Sequence, residues 1–145
     1  MKKILMMALG LVVSLGLMTA CDDDEDIRAG DVPTAVQRMF EEKYPGTRAT
    51  WEKDKGNYKA EFRLDGREAN AWFSDAKWIG TEIDLLESDL PVAVKDYVAA
   101  NHAGYRIDDV DLVQTPDREY YKLELEKNGK RDLQLHITKD GKRLN

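Results

Sequence analysis

The sequence predicts an α+β fold in which a helix followed by three to four antiparallel strands occurs twice in tandem, with both helices on one face of an antiparallel sheet. Three observations lead there. Asp31-Val32-Pro33-Thr34-Ala35-Val36 returns 58 positions later as Asp89-Leu90-Pro91-Val92-Ala93-Val94, and Tyr44 falls on His102 and Gly46 on Gly104 in the same register. Self-similarity at a fixed offset marks a duplicated structural unit. Second, the hydrophobic period is 3.6 after each proline and 2 further along, the change expected where a helix gives way to strands. Third, Asp65-Gly66 and Asn128-Gly129 each separate two alternating runs, a strong short-range signal for a β-hairpin.

Taken in chain order, Lys2 and Lys3 precede an apolar run from Ile4 to Met18 broken only by Gly10, Ser14 and Gly16. A run of 15 residues is short of the roughly 20 that a spanning helix needs and suits the core of a signal peptide, so residues 1–20 read as a leader. Met18-Thr19-Ala20-Cys21 resembles the lipobox of bacterial lipoproteins, with Met18 where Leu is most usual. The resemblance implies cleavage before Cys21, a diacylglycerol on its sulfur and a further acyl chain, such as palmitate, on its new amine. Each buried methylene adds about 0.8 kcal/mol, so two or three chains hold a protein at a membrane where one does not. Cys21 is the only cysteine, which excludes an intramolecular disulfide.

The acidic run Asp22, Asp23, Asp24, Glu25 and Asp26 resembles the Bacteroidetes-type lipoprotein export signal. That likeness implies an outer-membrane lipoprotein exposed at the cell surface; without export, the body would face the periplasm. From composition alone, residues 21–31 are a self-repelling tether. Consecutive acids without a turn glycine do not match an EF-hand loop.

The body, 32–145, divides at about 84/85 into the two repeats. In the first, Val32, Ala35, Val36, Met39, Phe40 and Tyr44 form one apolar helical stripe, and in the second Leu90, Ala93, Val94, Tyr97 and Val98 do the same. Asp31 and Asp89 are expected N-caps, with Pro33 and Pro91 in the first turn, where a missing amide costs nothing. Pro45-Gly46 and Ala103-Gly104 are expected to end the helices. First strands are expected over Thr47–Lys53 and Ile107–Gln114. Tyr58, Ala60, Phe62 and Leu64 then alternate with Lys59, Glu61 and Arg63, and Ala69, Ala71 and Phe73 alternate back after Asp65-Gly66. Tyr121, Leu123 and Leu125 lead through Asn128-Gly129 to Leu133, Leu135 and Ile137. A further strand over Trp78–Ile83 has only the stub Arg143-Leu144-Asn145 as its counterpart. Helices on one side of such a sheet leave the other side polar.

The Val/Leu-Pro helix starts, Tyr44-Pro45-Gly46, Tyr58 and the Asp65-Gly66 turn resemble the PepSY-like, beta-lactamase-inhibitor-like family of small bacterial envelope lipoproteins. The resemblance covers about Asp31 to Asn145. It implies the fold and, through the family's name, inhibition of an envelope or secreted enzyme.

With 28 acidic and 22 basic residues, two of the latter in the leader, the mature part carries a net charge of −8. That balance argues against nucleic acid as a partner, since phosphate binding needs clustered Lys and Arg. After Cys21 the only serines are Ser74 and Ser88, neither in a nucleophile elbow. No Gly-rich phosphate loop, HExxH or CxxC is present. His102 closes the second helix, a structural position at the core edge. His136 lies on the outward phase of its strand, and one His with scattered acids falls short of a zinc ligand set. No catalytic residue, no metal and no cofactor beyond the lipid on Cys21 is expected. Trp72 opposes the phase of Ala69, Ala71 and Phe73, so it should project from the polar face, either exposed for binding or covered by the tether, Trp51 or a neighbouring strand. The candidate surface is Trp72 with Lys59, Glu61, Arg63, Lys122, Glu124 and His136. Its expected partner is an unidentified envelope or secreted protein or peptide. A structural or assembly accessory of an envelope complex is the alternative, and a metal-dependent hydrolase assembled from His136 and nearby acids is the third reading.

Overall fold

The computed structural model describes residues 25–75 and 77–145; the leader, Cys21 and Asp22 to Asp24 lie outside them. Eight strands form one antiparallel sheet whose spatial order is the chain order. They are β1 (Glu25–Ile27), β2 (Ala49–Asp54), β3 (Asn57–Leu64), β4 (Arg67–Phe73), β5 (Trp78–Asp84), β6 (Arg106–Gln114), β7 (Glu119–Glu126) and β8 (Leu133–Ile137). Helix α1 (Thr34–Lys43) lies between β1 and β2, and α2 (Val92–Asn101) between β5 and β6. Both helices have ten residues and start 58 positions apart, the offset seen in the sequence. No helix among the described residues is long and apolar enough to cross a membrane.

The two apolar stripes bury as two clusters on the helix-bearing face. Under α1 the core is aromatic: Phe40 meets Phe62 edge-on at 5.1 Å and Trp51 at 5.4 Å, and Tyr44 lies 4.6 Å from Phe62. Under α2 it is aliphatic, with Val94, Val98, Val110, Leu123, Leu125, Leu135 and Ile137. The half-buried Leu85 packs against both clusters, and the halves join through the pairing of β5 with β6.

Several expectations are corrected. Glu25 and Asp26 are not free tether: with Ile27 they pair with Lys53, Glu52 and Trp51 of β2, because a strand edge offers amides and carbonyls that an extended segment can satisfy. Pro33 and Pro91 occupy the N-cap positions themselves, so neither helix has a side-chain cap. Asp31 and Asp89 instead sit in 3-10 turns before them, where the Asp89 carboxylate accepts the Leu86 amide at 2.8 Å and pairs with Arg67 at 2.6 Å.

Asp65-Gly66 is the expected tight turn, with φ of 49° and 79°. Asn128-Gly129 is not, since only Gly129 has positive φ, and a type I′ turn needs both; residues 127–132 form a longer connection. An unpredicted tight turn at Lys55-Gly56, with φ of 50° and 84°, joins β2 to β3. Trp78 begins the interior strand β5, and the Lys43 ammonium lies over its indole, 3.6 Å from the ring centroid. The terminal stub makes one bridge, Ile137 with Arg143.

Candidate functional site

The sheet face opposite the helices carries the outward phase of every strand. Lys59 stands directly across from Trp72, Glu61 from Asn70 and Arg63 from Glu68 on β3 and β4. On β7 and β8, Lys122 faces His136 and Glu124 faces Gln134. The seven candidate residues therefore share one face but form two groups, separated by β5 and β6, with strands about 4.8 Å apart.

Most of the charges are spent on one another. The Lys59 ammonium donates to Glu52 at 3.0 Å and to Glu61 at 2.7 Å. The Lys122 ammonium reaches Glu82 at 2.7 Å and Asp111 at 3.2 Å, tying β7 to both central strands. Desolvation pulls the Lys122 pKa down, but its bonds to Glu82 and Asp111 and their charge outweigh this and hold it above the ordinary lysine value. Lys59 is raised in the same way, against desolvation, by Glu61 and Glu52. Burial pushes the Asp111 carboxyl up although Lys122 pulls it down. Glu124 is also raised, by desolvation first and then by Asp132, Asp109, Asp108 and Glu126. Arg63 turns back on its own hairpin and donates to the Gly66 carbonyl at 2.5 Å. Among the described residues no group of three or more His, Cys, Asp or Glu is arranged to hold a metal.

Trp72 does project from this face, half-buried. Trp51 does not cover it, being buried in the core on the other face. Its indole nitrogen donates to Asp54 at 2.7 Å, and its neighbour on β5 is Gly80. A Cβ there would meet the Gln114 carbonyl oxygen at 2.9 Å, so glycine is what allows β5 and β6 to close beside the indole.

The upper end of the same face, where the β4–β5 and β6–β7 connections meet the segment after β8, holds an open cleft of ≈ 450 Å³. Ile79, Pro116, Tyr120, His136 and Leu144 line it, together with the charged residues Lys77, Asp117 and Arg118. The His136 ring lies 5.1 Å from that of Tyr120. Its Nε2 is buried without a hydrogen-bond partner.

Sequence reasoning found Trp72 and His136 through strand phase. It missed Asp54, Glu82 and Asp111, which hold the face together, and the cleft, which depends on the register between the halves. Glu82 falls within the expected strand Trp78–Ile83, but which residue it would oppose on β6 is set only when the halves pair.

A family model described as "Putative beta-lactamase-inhibitor-like, PepSY-like" matches residues 18–66 and again 56–145. Among solved structures, a DUF2874 family protein from Bacteroides uniformis ATCC 8492 is 26% identical with a TM-score of 0.73, covering 79% of this chain and 87% of its own. A "putative periplasmic" protein from Bacteroides eggerthii DSM 20697 is 28% identical, TM-score 0.71, covering 79% and 86%. A BLIP-like protein from Bacteroides fragilis NCTC 9343 is 27% identical, TM-score 0.71, covering 80% and 86%. No curated protein matches the chain.

Proposed function

Because the chain belongs to the PepSY-like, beta-lactamase-inhibitor-like family, we propose that it is a noncatalytic envelope lipoprotein that binds a protein or peptide through the helix-free face of its sheet. The inhibitor-like part of this reading comes from the family's description and from the BLIP-like relative; the target would be an envelope or secreted enzyme. The observation that carries it is Trp72. A large aromatic is held half-exposed on an otherwise ion-paired face by its bond to Asp54. Aromatics so placed supply much contact area with little rotamer entropy to lose. Lys59 and Glu61 beside it form the recognition group in the first half, with Arg63 at its end, and Lys122, Glu124 and His136 form that in the second.

The anchor is Cys21, with Asp22 to Asp26 as export signal to the outer membrane and its surface. The periplasmic description of the B. eggerthii relative supports an envelope location. Since β1 begins at Glu25, four residues after Cys21, the sheet starts within about 15 Å of the acylated residue.

Two experiments test the reading. Labelled palmitate should enter the native protein and not Cys21→Ser. A protein captured from envelope fractions by the native lipoprotein should be lost with Trp72→Ala, while the thermal midpoint stays within a few degrees. Equal capture by both forms would remove the sheet face from the account.

A further inference from the structure

We propose that the cleft at the upper end of β5 to β8 is the subsite for the C-terminal residue of a bound peptide, an apolar side chain with its free carboxylate. The proposal rests on the sheet-face reading above and gives that face a ligand class.

Of the four large hydrophobics exposed among the described residues, Ile79 and Leu144 both line this cleft. Elsewhere on the sheet face the outward positions named above are largely charged or polar, so the apolar surface there is concentrated where a side chain can be enclosed. The volume, ≈ 450 Å³, lies in the range of about 300–1,000 Å³ typical of ligand sites.

The charged lining is biased. Lys77 and Arg118 outnumber Asp117, and neither cation has an ion-pair partner among the described residues, unlike Lys59 and Lys122, each of which holds two carboxylates. In a chain with a surplus of acids, two unpaired cations beside an apolar cleft favour a carboxylate close to an apolar group. An Arg guanidinium is suited to it because it can donate two parallel hydrogen bonds. A peptide's last residue carries the side chain and the carboxylate on one Cα, so one residue can satisfy both features. The preceding chain leaves along the open side, across the face that bears Trp72. His136 adds a polar contact. Its ring has no hydrogen bond holding it and its Nε2 lacks a partner, so turning toward an incoming carboxylate or amide satisfies a group that is otherwise left wanting.

The test uses the mature lipoprotein in lipid nanodiscs, titrated with acetyl-Ala-Ala-Phe bearing a free carboxylate and, separately, with its C-terminal amide. Methyl signals of Ile79 and Leu144 and ring signals of His136 report occupancy. The expected result is saturable shifts at these three residues, with the acid bound about tenfold more tightly than the amide. In Lys77→Ala/Arg118→Ala, whose thermal midpoint serves as the folding control, that preference should vanish. Ile79→Ala should weaken both probes alike and keep the preference. Equal affinity for acid and amide, shifts confined to other parts of the molecule, or no shift at millimolar peptide each overturns the proposal. If an envelope partner is still captured in a Trp72-dependent way under those outcomes, the sheet-face reading stands and only the cleft assignment falls.

Discussion

The two halves are built on one plan and filled with different chemistry. Tyr44 and His102 end their helices with nearly the same backbone, φ −131° and −130°. In the first half the Tyr44 hydroxyl meets the buried Thr81 hydroxyl at 2.6 Å, and Trp78 donates to that same oxygen at 3.0 Å. Burial raises the Tyr44 phenol's pKa and the bond to Thr81 offsets part of the rise. In the second half, the residues that follow β8 make a single bridge instead of a full strand. His102 packs near Tyr97 and Tyr105, and its buried Nε2 has no partner. A duplicated unit can thus keep its backbone while losing the neighbour that satisfied a polar side chain. The first half thus has an aromatic, hydrogen-bonded core and the second an aliphatic one, and the cleft lies where the two halves meet.

The largest test of that contrast compares equivalent helix positions. Phe40 contacts Tyr44, Trp51, Phe62 and Phe73, so Phe40→Ala should cost about 3–5 kcal/mol in chemical denaturation. Val98, its counterpart 58 residues on, loses only two methyl-sized groups in Val98→Ala, at about 2 kcal/mol. Equal losses would break the distinction between the halves. Next, Thr81→Val strands the Tyr44 hydroxyl and the Trp78 indole together and should cost about 2 kcal/mol, read as a fall in the urea midpoint with unchanged slope.

Lys122→Met probes the outer face and should cost about 1–2 kcal/mol at neutral pH, between the worth of exposed and fully buried ion pairs. Its pH dependence follows from the raised folded pKa of Lys122. The stabilisation is fully present below the unfolded lysine value and is lost as pH rises through the folded one, so native and variant should converge in alkali. Asp111, also raised, gives the same sign of pH dependence but as a penalty: burial disfavours its ionised form, so stability falls as pH rises from the unfolded carboxyl value through the folded one. The smallest effect belongs to His102→Phe, which removes an unsatisfied nitrogen and should be neutral or stabilising by up to about 1 kcal/mol. A marked loss there would mean that the ring is satisfied after all.

Local signals carried the sequence reading a long way. Period and repeat located both helices, and alternation put Phe62, Ala71, Leu123 and Ile137 in the core. The same rule turned Trp72, Lys59, Lys122 and His136 outward. What stayed illegible was set by relations between segments. Asn128-Gly129 has the composition of a tight turn, yet the spacing of β7 and β8 leaves six residues to connect them, and only Gly129 takes positive φ. Lys55-Gly56 lacks the usual Asn or Asp, although the strands on either side force the same backbone there. Glu25 and Asp26 read as solvated tether because their pairing depends on the free edge of β2, and a run of acids gives no local sign of it. For the same reason the ion pairs of Lys122 with Glu82 and Asp111, and the cleft, awaited the register of β5 against β6.

The proposed working surface is the helix-free face of the sheet. Its most direct test places a photoreactive residue at Glu61 on that face or at Val92 on α2, which is 69% exposed, in the lipidated protein within its own cell envelope. Irradiation should crosslink one envelope or secreted protein at the Glu61 position and not at Val92. Crosslinks at Val92 with none at Glu61 would place the partner on the helices and contradict it.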